Sequence, residues 1–473
     1  ESSPDGATHD WNLGVTGARG WMFIKTFSTC QARQIAITKV DKGSPADGIL
    51  KVGDVILGVA GEPFSYDARV ELAKALTVAE SEKSGGRLSL LRWRNGTTDP
   101  VVVRLPVLGT YSATAPYDCP KSKRILEQGC AALGKRMSEP EYGGNAITRS
   151  LNALALLASG NRDHLPLLRR EAEWASNYQS TGSQTWWYGY VITFLSEYVM
   201  ATGDQSVMPG LKRLAMESAT GQSVVGSWTH GFVGPDGRLG SYGMMNAPGV
   251  PLTISLVLAR KAGAHDPAID LAIKRSARLL RFYAGKGAIP YGDHAPWMQT
   301  HEDNGKCSMA AVLFNLLGEP EPARFFSRMA VAAHGPERDY GHSTIFLNLT
   351  WAMPGVAQAG PQATGQWMNV FGAWYYDLAR RWDGAFCHQG EPNYKRDTTP
   401  GWDATGAYLL AYAFPLKNLV LSGKGGNEDL YIDAETAKSL IEDGKGWTRH
   451  DRTGFYGSLS EEELLKRLDS WSP

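Results

Sequence analysis

Met309-Ala310-Ala311-Val312-Leu313-Phe314 is apolar at six consecutive positions, and Val191-Ile192-Thr193-Phe194-Leu195 is apolar at all but one. A helix that is apolar on every face has no side to offer to water, so it must lie inside other elements. Reading outward from these two stretches, the same character recurs over 146–159, 187–201, 250–262, 305–317, 343–353 and 404–414. Between them lie segments that carry Lys, Arg and Glu along one face: 121–137, 164–179, 206–219, 267–284, 321–333 and 364–382. Amphipathic and buried helices in alternation predict an outer and an inner layer. Paired in this way, they predict an all-α (α/α)6 toroid over 121–420. The spacing of the pairs is uneven, so the repeat is one of architecture rather than of sequence.

The first hundred residues read differently. Ile35, Ile37 and Val40 alternate as a half-buried strand does, Gly43-Ser44-Pro45 breaks the chain, and Gly53-Asp54 turns it into Val55-Ile56-Leu57. Residues 66–79 place Ala68, Leu72, Ala75 and Leu76 on one helical face, and 87–93 with 100–105 form a hairpin around Asn95-Gly96. Gly43-Ser44-Pro45-Ala46 followed by Leu50-Lys51-Val52-Gly53-Asp54-Val55-Ile56 resembles a PDZ domain of the bacterial envelope type, over 11–107. The resemblance implies capture of a peptide carboxy terminus by strand addition. Gly17-Ala18-Arg19-Gly20-Trp21-Met22-Phe23 is the candidate carboxylate-binding loop. The linker, 108–120, is short and rich in Tyr and Pro, which predicts a docked domain, and a domain kept only for packing is the competing expectation. The fold class expected is therefore multidomain, a small mixed α/β PDZ domain plus an all-α (α/α)6 toroid. A C-terminal extension over 421–473 has short helices at 433–443 and 460–470.

Composition narrows the partners. Lys+Arg and Asp+Glu balance at 48 each, so no nucleic-acid surface is expected. No apolar run reaches the ~18 residues of a membrane span. Five cysteines, an odd number, are not a disulfide scaffold. The chain as a whole resembles a family of exported bacterial proteins known as a domain of unknown function, with a PDZ module ahead of a toroid. That resemblance implies export, to the periplasm, the cell surface or the medium, and it assigns no chemistry.

Each inner helix follows a Gly-rich, aromatic or charged loop: Tyr142-Gly143-Gly144-Asn145, Trp186-Trp187-Tyr188-Gly189, Ser241-Tyr242-Gly243, His301-Glu302-Asp303-Asn304-Gly305, Asp339-Tyr340-Gly341-His342 and Gly401-Trp402-Asp403. Inner helices of a toroid run parallel, so these loops meet at one mouth, where a funnel-shaped site would lie. The chain has 15 Trp and 19 Tyr, and rings with a polar edge suit the C–H faces of sugars. An oligo- or polysaccharide is the expected substrate, with Trp187, Tyr188, Trp228, His230, Tyr242, His294, Trp297, His301, Arg338, Tyr340, His342, His388, Trp402 and Asp403 as candidate binding residues. Glycoside hydrolysis needs two carboxyl groups, one as acid and one as base or nucleophile. Asp303 or Glu302 is the candidate acid, and Asp293, Asp339 or Glu391 its partner; Asp303 would otherwise be a helix cap.

Two other chemistries compete. A polysaccharide lyase would use Tyr340 or His342 as base and Arg338 to neutralise a uronate. A non-enzymatic binder would use the PDZ groove. Cys307, Cys387 and His388, with Glu302 and Asp303, are similar to the ligand set of zinc-thiolate glycosidases of the toroid type, the β-L-arabinofuranosidases. Here the Glu-to-Cys spacing is longer and a Cys–His pair replaces a Cys pair, so neither metal nor cofactor is expected. The chain has no Asp-x-Asp-Asp motif of a terpene cyclase.

Overall fold

The computed structural model describes residues 10–24, 29–240, 243–296, 302, 304–335, 338, 346–388 and 402–445. Its N-terminal part is an antiparallel sheet built from β1 (Trp11–Asn12), β2 (Ala18–Trp21), β3 (Ile35–Val40), β4 (Val55–Val59), β5 (Glu62–Pro63), β6 (Arg87–Arg94) and β7 (Thr97–Arg104). The strand order is β1-β2-β3-β4-β6-β7, with β5 paired to β4. Asn95 (φ 52°) and Gly96 (φ 85°) both take the left-handed conformation that a two-residue hairpin turn requires between β6 and β7. Helix α1 (Ala68–Ala79) begins at Asp67, whose carboxylate accepts the free amides of Arg69 and Val70. It packs on β4 and β6.

The rest is helical, and it comes in outer and inner pairs. These are α2 (Pro120–Met137) with α3 (Ala146–Ser159), α4 (Leu165–Ser176) with α5 (Gln184–Thr202), and α6 (Met208–Thr220) with α7 (Asn246–Lys261). Then follow α8 (Pro267–Arg281) with α9 (Lys306–Leu317), and α10 (Pro320–Ala332) with α11 (Leu347–Ala357). The last outer member is α12 (Pro361–Trp367) continuing into α13 (Ala373–Ala379), and its inner partner is α14 (Thr405–Ala413). The inner helices pack in a closed circuit, α3 on α5, α5 on α7, α7 on α9, α9 on α11, α11 on α14 and α14 back on α3. Outer helices bridge neighbouring inner ones, as α4 does between α3 and α5 and α10 between α9 and α11. Ile192, Leu256, Leu313 and Leu409 from four inner helices are fully buried, as helices without a polar face must be. Helix α15 (Ala434–Lys445) then packs on α10 and α12. Among the described residues no helix is long and apolar enough to cross a membrane.

One predicted helix is interrupted. The span 364–382 contains a π-helical turn at Met368–Gly372, where an extra residue is fitted between α12 and α13. Such a turn shifts the helix face that follows it, and α13 then packs on α1 of the sheet domain. The predicted helix at 343–353 starts at Leu347; residues 343–345 and the expected helix at 460–470 lie outside the described residues.

The two domains meet over a buried ionic cluster. Glu80, at the end of α1, lies 2.8 Å from Lys121 Nζ and 2.5 Å from Arg380. Lys121 also donates to Asp377 at 2.7 Å, and Arg380 reaches the same carboxylate at 3.3 Å. Tyr111, from the linker, donates to Asp377 at 2.9 Å and stands over Lys121. Two carboxylates balance two cations, and all four side chains are buried. Around the cluster, the Asn12 amide donates to the carbonyls of Leu378 (2.7 Å) and Arg380 (3.1 Å). The expectation of a docked domain agrees with these contacts. The expected carboxylate-binding loop does not survive as a free edge: Ala18–Trp21 is strand β2, paired to β1 on one side and β3 on the other. On the β1 side that pairing covers Arg19 and Gly20, which limits the edge left for an added peptide strand.

Candidate active site at the mouth of the helical ring

The starts of the inner helices lie together. Asn152 of α3 bonds the Gly406 amide at the start of α14 (2.8 Å), and Thr185 of α5 donates to the Thr229 and His230 carbonyls ahead of α7. Asn246, opening α7, donates to the Pro290 carbonyl ahead of α9 (2.9 Å). Gly305, ahead of α9, sits against Trp351 and the Leu347 carbonyl of α11. The described parts of the segments ahead of α7, α9 and α14 thus lie against neighbouring inner helices, while Asp339-Tyr340-Gly341-His342 lies outside the described residues.

Four rings meet there, two of them, Phe346 and His388, buried. Trp402 lies 6.5 Å from Trp187 at an interplanar angle of 45° and 6.0 Å from Phe346 at 67°. Phe346 meets His388 edge to face at 6.1 Å, and His388 Nδ1 is 3.0 Å from the Tyr408 hydroxyl. Trp187 and Trp402 keep part of their surface exposed, while His388 is buried. Consecutive helical residues point about 100° apart. Trp187 thus faces the mouth, while Tyr188 turns outward, buried, and donates to Glu217 of α6 at 2.9 Å.

A polar frame holds Trp402 in place. Asp403 caps α14 by accepting the Thr405 amide (3.0 Å), pairs with Arg136 (2.6 Å) and accepts from Asn152 (3.0 Å). Asn152 also donates to the Tyr142 hydroxyl at 3.2 Å, and burial pushes the Tyr142 phenol above its ordinary range. Both oxygens of Asp403 are engaged, which suits a structural carboxylate better than a nucleophile.

Several sequence candidates prove to be framework. Glu302 is buried, and its two oxygens accept the amides of Cys307 (3.0 Å) and Ser308 (2.8 Å), so it caps α9, the role expected of Asp303. Arg338 is fully buried; it donates to the carbonyls of Ala330 (2.7 Å) and Ala333 (3.0 Å) and to Asn348 (2.9 Å), and stands 3.7 Å from Glu302. It has no path to a substrate. Trp228 is fully buried and donates to the Ser218 carbonyl at 2.9 Å, a core tryptophan rather than a sugar platform. His230 is half-buried; its Nδ1 accepts from the Trp186 indole at 2.9 Å, so a neutral ring carries its proton on Nε2. Asp293 and His294 are exposed in the loop before α9. Asp303, Asp339, Glu391, Tyr242, Trp297, His301, Tyr340 and His342 lie outside the described residues.

The thiols are framework too. Burial, and then the nearby Glu302 charge, push the Cys307 thiol well above its ordinary range, so it is protonated at neutral pH. Cys387 Sγ accepts from Arg19 at 3.7 Å. Among the described residues no group of three or more His, Cys, Asp or Glu is arranged to hold a metal.

Sequence reading placed Tyr142 in a mouth loop but missed Asn152, Arg136, Phe346 and Tyr408. One signal was present: Asn152 interrupts an otherwise apolar run, and a buried amide is retained only where it is hydrogen-bonded. Below the rings the axis is filled. Trp351 donates to the Tyr190 hydroxyl at 3.0 Å, and a cavity lined by Leu151, Leu154, Leu410 and Phe414 has room for about one water.

No curated protein matches the chain. Residues 122–423, which hold both helical layers and the mouth, match the family described as Domain of unknown function (DUF6288), and the chain belongs to that family.

Proposed function

We propose that the helical domain is an (α/α)6 toroid that binds carbohydrate at its mouth and hydrolyses a glycosidic bond, and that the sheet domain is a PDZ-type fold serving it as a packing partner. The protein acts, on this reading, on polysaccharide outside the cytoplasm. The observation that carries it is the pair of half-buried rings Trp187 and Trp402, backed by the buried Phe346 ring and held beside Asp403, Asn152 and Arg136. Flat aromatic faces beside hydrogen-bonding side chains match the alternating C–H and hydroxyl surface of a sugar.

The reaction requires a carboxyl pair. Glu302 and Asp403 are committed to helix caps and ion pairs, which leaves Asp293, exposed at the mouth, and Asp303, Asp339 and Glu391 of the neighbouring loops. The lyase alternative is weakened because Arg338, its uronate-neutralising group, is buried among carbonyls. The peptide-binding alternative is weakened because β2 is paired on both edges.

The test is a panel of neutral and acidic polysaccharides assayed for new reducing ends and for ultraviolet absorbance, with Trp402→Ala and Asp303→Asn alongside. New reducing ends that disappear in both variants support the reading. Absorbance from unsaturated products would replace hydrolysis by elimination. Absence of binding and release across the panel would end the carbohydrate reading.

A further inference from the structure

We propose that the sheet domain is a fixed brace for the mouth, and that Asn12 and Arg19 are positioning residues which act on His388 through the hairpin 379–388. The proposal rests on the reading of the mouth as the functional site.

The hairpin begins where α13 ends. The Cys387 amide bonds the Ala379 carbonyl (2.8 Å), the Arg381 amide bonds the Ala385 carbonyl (2.8 Å), and Arg380 pairs with Phe386 across it. Its body lies on the sheet domain. The Asn12 amide holds the carbonyls of Leu378 and Arg380, Glu80 holds the Arg380 guanidinium, and Asp41 accepts from the Trp382 indole at 3.2 Å. Arg19, itself fixed by Asp10 at 2.8 Å, reaches the Cys387 sulfur at 3.7 Å.

Its return strand leads to the mouth. The Phe386 amide donates to Thr405 of α14 at 3.1 Å, and the Phe386 ring stacks on Tyr408 at 5.3 Å. The next two residues are Cys387 and His388, and His388 lies between Phe346 and Tyr408. One short hairpin thus takes contacts from four side chains of the sheet domain, and its return strand leads directly into His388 beside Phe346 and Tyr408. A hairpin of two short strands is marginal alone in water, so its geometry must come from what it packs against. The sheet domain supplies four of those contacts, which gives a reason for keeping a PDZ-type fold against the helices.

The experiment measures carbethoxylation of His388 by diethyl pyrocarbonate in the full-length protein, peptide by peptide, with exposed His265 as internal control. Arg19→Ala and Asn12→Ala are compared with wild type and with Lys74→Ala, an exposed site on α1. Arg19 is the more exposed of the two positions, so its variant keeps the test readable where Asn12→Ala folds poorly. Wild type and Lys74→Ala should protect His388, and each brace variant should raise its rate about tenfold while leaving His265 unchanged. An unchanged His388 rate in a folded Arg19→Ala protein would overturn the proposal. A raised rate in a protein that binds no glycan would support the brace and retire the carbohydrate reading.

Discussion

Asp377 at the domain junction and Glu197 on inner helix α5 are both buried carboxylates, and they differ in what surrounds them. Burial pushes the Asp377 carboxyl up, but Lys121 and Arg380 outweigh it and hold the group below its ordinary range. Glu197 forms no ion pair among the described residues, and Lys424 lowers its pKa only as a minor influence. It accepts the amides of Val420 (3.1 Å) and Leu421 (2.6 Å), and burial still raises it to about 7. The contrast shows how this chain uses buried charge. At the junction, paired charges fasten two domains. On α5, a carboxylate held by two amides fastens a loop, and burial raises its pKa.

The largest effect should come from unbalancing the junction. Glu80→Gln leaves two buried cations with one carboxylate, and breaking a buried pair costs about 3–5 kcal/mol. Calorimetry should show the sheet and the helices losing stability in the same transition. Separate transitions, with only the sheet weakened, would mean that the cluster is local decoration.

Glu197 tests the other half of the comparison. Its folded pKa is raised, so its contribution is fully present below about 4.5 and is lost as pH rises through about 7, a change on the order of 3 kcal/mol. Asp377, whose pKa is lowered, contributes in the opposite sense: its share is present above its unfolded value and is lost as pH falls through the folded one. Melting temperatures at pH 5 and pH 8 should therefore differ less in Glu197→Gln than in wild type. An unchanged pH response would show that the loop amides already satisfy the charge.

Glu302→Gln sharpens the distinction between frame and chemistry. Losing the charge that caps α9 and faces Arg338 should cost about 2 kcal/mol in urea unfolding. A variant with full stability but no turnover would return Glu302 to the catalytic candidates. Trp402→Ala should have the smallest effect on stability, below about 1 kcal/mol for a half-exposed ring, yet lower glycan affinity about tenfold. Unaltered affinity would move the binding surface away from Trp402.

Much of the architecture was legible. Helix 146–159 was read with the bounds that α3 has, and 267–284 begins with Pro267 as α8 does, because all-apolar or one-faced periodicity is a local property. Asn95-Gly96 named its own turn. The site was less legible. Trp228 and Trp187 look alike in sequence, but one is fully buried against Ser218 and the other borders the mouth. Glu302 and Arg338 read as reactive groups because nothing in the sequence says that they face each other in the core.

The sequence by itself determined the two-part composition of this protein: strands and turns first, then helices too apolar to meet water. Periodicity and turn chemistry act over a few residues, so they can be read without a fold. Only the tertiary structure decided which polar groups are spent on holding the fold and which remain at the mouth. Glu80 meets Arg380 across 300 positions, and Asn152 meets Asp403 across 251. Whether a charge is paired, capped or exposed is set by neighbours that distant, and no local pattern encodes them.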